Sequence, residues 1–217
     1  MVFESRQEAG KKLATKLIKF REDNPFVLAL PRGGVPIGFE VADVLHAPLD
    51  VIIVRKIGLS SNPEFGIGAI AEGGVKVLDQ TSIEVLGIDE TELEDTIKLE
   101  EEELSKRVKT YHGNDKLPNL TGKTAILVDD GMATGITAKA AIEAVRKLNP
   151  KKIILASPVC AIDTAESLKS KIDEVICLAT PFEFMAVGSW YKNFEQLSDE
   201  ENVNLLKKSK RSNKLVS

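Results

Sequence analysis

Residues 125–137, AILVDDGMATGIT, join three features that belong together in one class of fold. The four apolar residues 125–128 are typical of a strand that is buried on both faces. Two carboxylates, Asp129 and Asp130, follow where that strand would emerge from the sheet. The small and hydroxylated residues after them lead into a predicted helix at 136–148. In α/β folds, ligands bind at the carboxyl ends of such strands.

Similar apolar runs flank this segment on both sides. They predict further strands at 26–30, 51–54, 152–159 and 175–178. Amphipathic patterns at 4–21 and 35–45 predict two helices. Because the apolar runs do not alternate with polar residues and are separated by helices, the predicted fold class is α/β. We expect a central, mostly parallel sheet with helices on both faces.

A hairpin-plus-helix insertion is predicted between the two halves of the sheet. Gly73 and Gly74 supply the positive φ angles of a tight turn in a hairpin over 70–77. An apolar stripe at helical spacing then predicts a helix over 89–111, packed on the sheet. Its members are Leu93, Ile97, Leu104, Val108 and Tyr111. An alternative is that Arg107 or Tyr111 reaches into an active site. The insertion is placed at about 80–120.

Residues 1–205, including the insertion, are assigned to one domain. Its C-terminal segment, at about 180–205, is the candidate hood over the active site. The basic residues 206–217 predict a disordered tail. A net charge of −4 argues against a general nucleic-acid partner, and the longest nearly uncharged run, 153–162, is too short to cross a membrane. With no secretion signal and two cysteines in apolar surroundings, a cytoplasmic protein is expected.

The acidic pair and the turn behind it suggest a specific ligand chemistry. Adjacent carboxylates repel each other unless hydrogen-bond donors, such as the two hydroxyls of a vicinal diol, offset the repulsion. The backbone amides of 133–137, the helix dipole and two threonine hydroxyls could hold a phosphate. Together they fit a 5-phosphoribosyl group. The alternative is a plain Asp-Asp-Gly turn before a capped helix.

The segment VDDGMATG at 128–135 resembles the phosphoribosyl-pyrophosphate motif of type I phosphoribosyltransferases. The resemblance implies that Asp129 and Asp130 hold the ribose hydroxyls. It also implies a homodimer and Mg²⁺ carried by the substrate, with no dedicated metal ligands beyond a possible contribution of the acidic pair. The residues implied for the 5′-phosphate are Ala133, Thr134, Gly135, Ile136 and Thr137.

Two further segments resemble the pyrophosphate-binding parts of the same family. The residues PRGG at 31–34 are similar to its pyrophosphate loop, in which Arg32, Gly33 and Gly34 would contact the anion. RKIG at 55–58 resembles the start of the loop that closes over pyrophosphate. Arg55 and Lys56 would then bind pyrophosphate and stabilise its charge as it leaves.

The acceptor of the phosphoribosyl group is left open by the sequence. Ala133 replaces the aspartate that the 6-oxopurine enzymes carry at this motif position. The sequences ATG at 133–135 and RKIG at 55–58 are more like those of the adenine enzymes. By that likeness Glu64 is the candidate general acid/base, with a solvated loop carboxylate as the alternative. An aromatic-rich segment is expected to form a hood over the acceptor or, alternatively, an apolar cap on the core. Its candidate residues are Phe182, Phe184, Val187 and Trp190.

The overall pattern is similar to a group of phosphoribosyltransferases whose acceptor is unassigned. It implies a pentosyltransferase that moves phosphoribose from 5-phosphoribosyl 1-pyrophosphate to a nitrogenous base or related acceptor. The expected partners are these small molecules, with no nucleic acid and no membrane. Two alternatives remain: a non-catalytic sensor of phosphoribosyl pyrophosphate or a nucleotide, and a hydrolase of a phosphorylated sugar.

Overall fold

The computed structural model describes residues 2–59, 62–113 and 117–213, and the side chains of all of these except 62–64, 212 and 213. Helices and strands alternate along most of the chain. Their order is α1 (Arg6–Leu17), β1 (Pro25–Ala29), α2 (Gly34–Leu45), β2 (Leu49–Val51), β3 (Val54–Leu59), β4 (Asn62–Ala71), β5 (Val75–Leu78), α3 (Gln80–Leu86), α4 (Glu90–His112), β6 (Thr124–Val128), α5 (Ile136–Arg146), β7 (Lys152–Val159), α6 (Ile162–Lys169), β8 (Glu174–Ala179) and α7 (Asp199–Asn213).

Five strands form the central sheet, in the order β2-β1-β6-β7-β8, and every neighbouring pair is parallel. One face packs on α5 and α6, where Leu127 and Leu155 meet Ile142 and Leu168. The other face packs on α1, α2 and α7. Because both faces are covered, β1 and β6 are buried at every position, which explains their unbroken apolar sequences. The predicted α/β fold class is confirmed.

The predicted strand at 51–54 is wrong, because this apolar run is divided between two sheets. Strand β2 ends at Val51 in the parallel sheet, and β3 begins at Val54 in a separate antiparallel sheet of order β3-β4-β5. Ile52 and Ile53 between them are fully buried. These two residues are apolar because they are buried, although they belong to neither sheet. The composition of the run therefore does not show where the chain leaves the first sheet.

The hairpin and the long helix of the predicted insertion are both present. Strands β4 and β5 pair around Gly73 and Gly74, whose φ angles are +79° and +68°. Helix α4 packs its apolar stripe on the small sheet, with Ile97 buried against Ile57 and Ile70. The small sheet also contacts α5, so it lies beside the carboxyl end of β6.

The C-terminal residues form a helix where a disordered tail is predicted, and for residues 206–213 that prediction is wrong. Helix α7 begins with three acidic residues, 199–201, which complement the positive end of its dipole. Leu206 is buried against the α2 face of the core, while Lys208 lies over the ring of Phe39. The basic residues therefore lie on the outer side of the helix, while its inner side carries Leu206 and the buried polar residues Asn202 and Ser209.

Both cysteines are free thiols. Cys160 is buried, and Cys177 is half-buried. Within the ranges that the structure covers, no helix combines the length and the apolar character that a bilayer crossing requires.

Candidate functional site

The acidic pair lies at the carboxyl end of β6, directly against the turn that follows β1. The Leu30 amide donates to the Val128 carbonyl (2.8 Å), which brings the two strand ends together. A Cβ atom on Gly33 would lie 1.9 Å from Asp130 Oδ2, and one on Gly34 would lie 2.5 Å from the Val128 carbonyl oxygen. Only glycines allow this approach, so the sequence PRGG lets the turn touch the acidic pair. The peptide bond between its first two residues is cis.

The two carboxylates differ in their surroundings. Burial and then the charge of Asp130 raise the pKa of Asp129 well above its ordinary value. Burial also raises the pKa of Asp130, but the charge of Arg6 and its hydrogen bond oppose that rise. The Asp130 amide donates to Asp129 Oδ1 (2.9 Å), which fixes the inner carboxylate. The Asp130 side chain is still 13% exposed, so the pair presents partly buried acceptor oxygens to which a ligand can donate hydrogen bonds.

Two residues outside the predicted site hold Asp130 in place. Arg6, in the first turn of α1, donates from Nε to Asp130 Oδ2 (2.8 Å) and from Nη1 to the Glu195 carbonyl (2.9 Å). Tyr191 donates its hydroxyl proton to the Asp130 carbonyl. Arg6 and Tyr191 lie where the N-terminal residues pack on the C-terminal segment. There the amide of Phe3 donates to the Trp190 carbonyl (2.8 Å), and we call this contact between Phe3 and residues 190–191 the joint.

The turn between β6 and α5 is exposed to solvent on one side and contacts α6 on the other. Ala133 and Thr134 are exposed, and Gly135 adopts a φ of +70° just before α5. Thr164 of α6 donates to the Ala133 carbonyl, and its methyl group lies 2.6 Å from the position of a Cβ on Gly135. Gly135 occupies the N-cap position of α5, so within the described part of the chain no N-cap side chain accepts from the first-turn amides.

Arg55 and Lys56 project from opposite faces of β3, so the structure does not bring these two predicted residues together. Arg55 binds Glu100 of α4 through Nε and Nη2, both 2.7 Å from the same carboxylate oxygen. Lys56 crosses the other face, because a Cβ on Gly66 would lie 2.9 Å from its Cδ and 3.5 Å from Ile136 of α5. Lys56 is therefore on the side of the phosphate-type turn, whereas Arg55 joins the small sheet to α4.

The predicted hood divides into an inner and an outer part. Val187 lies over the acidic turn, since a Cβ on Gly131 would be 2.4 Å from its Cγ1. Phe184 and Trp190 stack with ring centroids 6.5 Å apart, and Phe182 is 88% exposed. Tyr191, next to them, is buried against Phe3. One segment thus both caps the core, through Tyr191, and leaves the Phe182 ring exposed.

Other sequence-based candidates lie away from this site or beyond the described part of the chain. The side chain of Glu64 is outside the described residues. Tyr111 donates to Asp199 of α7 (2.7 Å), so it does not reach the acidic pair. Within the described ranges, no cluster of three or more His, Cys, Asp or Glu residues has the arrangement of a metal site.

Arg6 and Tyr191 are functional candidates that sequence reasoning missed. Arg6 falls one heptad before Leu13, on the buried stripe of α1 that also includes Ala9 and Leu17. A charged residue on an apolar stripe needs a buried partner, which was the available signal. Nothing local to residue 6 indicates that the partner would be Asp130.

Known proteins resemble this chain along most of its length. A family model described as the phosphoribosyl transferase domain matches residues 4–192. A Mycobacterium tuberculosis H37Rv protein named "Putative phosphoribosyl transferase Rv0571c" is 43% identical over 211 residues, which cover 97% of this chain and 47% of that protein. The chain thus spans about half the length of the curated relatives it matches first.

Two further similarities were found. The Bifunctional protein pyrR of Enterococcus faecalis V583 is 31% identical over 131 residues, covering 59% of this chain and 67% of that protein. Among solved structures, that of the protein TT1426 from Thermus thermophilus matches with a TM-score of 0.78 and 38% identity, covering 95% of this chain and 98% of that one.

Proposed function

The chain belongs to the phosphoribosyl transferase domain family, and we propose that it transfers phosphoribose from 5-phosphoribosyl 1-pyrophosphate to a nitrogenous base or related acceptor. The observation that carries the proposal is the close packing of the Pro31–Gly34 turn on Asp130. This packing puts backbone amides suited to an anion beside carboxylates suited to a diol. The open turn before α5 supplies a second anion site a few residues away.

Each part of the donor has a matching group in this arrangement. Asp129 and Asp130 accept hydrogen bonds from the two ribose hydroxyls, and residues 133–137 hold the 5′-phosphate. Arg32, the backbone amides of Arg32 and Gly33, and Lys56 bind pyrophosphate, whereas the Gly34 amide already donates to the Leu30 carbonyl (3.0 Å). The position of Lys56 beside Ile136 supports this role. Arg55 keeps its predicted pyrophosphate contact only if its pair with Glu100 opens.

In the transfer, the bond from ribose C1 to the pyrophosphate oxygen breaks and its electron pair leaves with pyrophosphate. The acceptor nitrogen donates its lone pair to C1 and loses a proton to a base, a role for which Glu64 stays the candidate. The residues above hold C1 and the leaving group in line and offset the growing negative charge. Carboxylate oxygens suit Mg²⁺, which would travel with the pyrophosphate and neutralise part of its charge when bound.

The acceptor is proposed to bind between the acidic turn and the outer hood. Val187 lies over Gly131, and the stacked rings of Phe184 and Trp190 offer a flat apolar surface for a heterocycle. A homodimer is proposed from the family resemblance.

Calorimetric titration of the chain with 5-phosphoribosyl 1-pyrophosphate and Mg²⁺ tests the donor. Asp129→Asn should weaken binding by about tenfold or more, because an amide NH₂ cannot accept the ribose hydroxyl bond and a charged bond is lost. Asp95→Asn is the matched control, since Asp95 is an exposed α4 residue whose ion pair, among the described residues, is with Lys98 (3.4 Å). Equal affinity of the wild-type chain and Asp129→Asn would refute the assignment.

Pyrophosphate release with a panel of purine and pyrimidine bases tests the transfer itself. Release that depends on one of the bases supports the proposed reaction. Binding without release would identify a sensor, and ribose 5-phosphate formed without any base would identify a hydrolase.

A further inference from the structure

We propose that Arg6 is the positioning residue of the donor site, fixing the Asp130 carboxylate and the backbone of the hood segment with one guanidinium group. This inference rests on the proposed function, because it assigns Asp130 to the ribose hydroxyls. It adds a residue from the first turn of α1 to a site that is otherwise built from β1, β3, β6 and the hood.

The contacts of Arg6 leave its guanidinium little freedom. Its side chain is 10% exposed. One edge binds Asp130 Oδ2 and the other binds the Glu195 carbonyl. Its face lies 3.9 Å from the centroid of the Phe194 ring and 5.9 Å from that of Tyr191. Because the guanidinium is planar and is held at two edges and one face, it fixes the position of the Asp130 carboxylate relative to the Glu195 carbonyl.

Asp130 is correspondingly held from several directions. Oδ2 lies between the Arg6 guanidinium and the backbone of Gly33, where a Cβ would lie at 1.9 Å. The groups with charge or titratable protons that face this carboxylate are Arg6 from α1, Asp129 from its own turn and Tyr191 from the hood. Arg6 is the only cation among these three. Without it, two neighbouring and partly buried carboxylates would have no cation among these groups to offset their repulsion.

Stability alone does not account for this pair. Burying two charges costs about as much desolvation energy as their attraction returns, and apolar residues at such sites often stabilise a fold equally well. The other Arg6 neighbours, Phe194 and Tyr191, would pack on a methionine. A guanidinium at this point is therefore explained by what it does to Asp130 and to the hood.

The test is the affinity for 5-phosphoribosyl 1-pyrophosphate with Mg²⁺ in a double-mutant cycle. Arg6→Met should raise Kd by about 10- to 100-fold, as loss of a residue supporting a ligand-binding group does, and Arg6→Lys should recover part of the loss. In an Asp130→Asn background the same Arg6→Met change should cost less than about threefold, because its partner is already altered. Lys12→Met, at an exposed α1 residue paired with Glu8, is the control.

Several outcomes would overturn the inference. One is a folded Arg6→Met variant with wild-type affinity. Another is an equal loss of affinity on Arg6→Met in the wild-type and Asp130→Asn backgrounds, which would indicate a purely structural role for Arg6. If Arg6→Met does not fold, Phe194→Leu removes the surface under the guanidinium and keeps the charge, and unchanged affinity there would also overturn it. A wild-type chain that fails to bind the ligand would refute the proposed function, whereas a binding wild-type chain with an unaffected Arg6→Met refutes this inference alone.

Discussion

Replacing Gly33 with alanine examines the contact between the PRGG turn and the acidic pair. The φ of Gly33 is −65°, so alanine fits the backbone, and the change acts only through its Cβ. That atom would lie 1.9 Å from Asp130 Oδ2, about 1.5 Å inside the 3.4 Å at which ordinary contact begins. Either the turn or the carboxylate must move by a similar distance.

A displacement of about 1 Å in a binding site can cost about 100-fold, so we expect Gly33→Ala to weaken 5-phosphoribosyl 1-pyrophosphate binding by that order. Overpacking should also cost about 1–3 kcal/mol of stability. For a chain of this size that lowers the melting temperature by about 2–12 °C. Calorimetric titration and thermal unfolding measure the two effects on the same sample.

Gly122→Ala is the matched control. Gly122 has a φ of +75° and no atom within 4 Å of the Cβ position, so alanine there strains the backbone far from the acidic pair. It should lower the melting temperature and leave the affinity unchanged. If Gly33→Ala folds cooperatively and binds the ligand as the wild-type chain does, the turn and the carboxylate are not held together for binding.

Two further predictions concern charges outside the acidic pair. Burial opposes the charge on His112, but the hydrogen bond and charge of Glu72 (3.2 Å) and the charge of Asp50 (3.7 Å) outweigh it and raise the pKa of this histidine. The stability that this charge supplies is complete below the unfolded pKa and is lost as the pH rises through the higher folded pKa. His112→Asn should therefore destabilise the chain more at pH 5.5 than at pH 9, and urea unfolding showing equal losses would contradict this. Lys56→Met should weaken pyrophosphate binding by calorimetry, whereas Arg55→Met should mainly lower the melting temperature, and the reverse pattern would contradict the separation of their side chains.

The central sheet was predictable because its signals are local. Strand β6, the acidic pair and the start of α5 follow one another within thirteen residues, and each is specified by residues at that point in the chain. The hairpin turn at Gly73 and Gly74 is similarly local. The division of the run at 51–54 was not predictable, because Ile52 and Ile53 are buried between the two sheets and look the same as strand residues.

The supports of the candidate site were missed because they depend on distant pairing. Arg6 and Asp130 are 124 residues apart, and Tyr191 is 61 residues from the carbonyl it binds. Arg55 and Lys56 lie on opposite faces because both belong to β3, and that assignment depends on the pairing of β3 with β4 and on the contact with α4. Composition and spacing identify which groups suit a ligand, but they do not show which neighbours hold those groups in place.

The joint between Phe3 and Tyr191 has a consequence for how the protein is made. Asp130 emerges from the ribosome long before the last of the residues that hold it, since Arg6 also needs the carbonyl of Glu195. At about 5–20 residues per second, the 65 residues that separate Asp130 from Glu195 take about 3–13 s to synthesise. During that interval the nascent chain carries an acidic pair without its full set of supporting residues, and we expect the proposed donor site to form only after both ends of the domain have met.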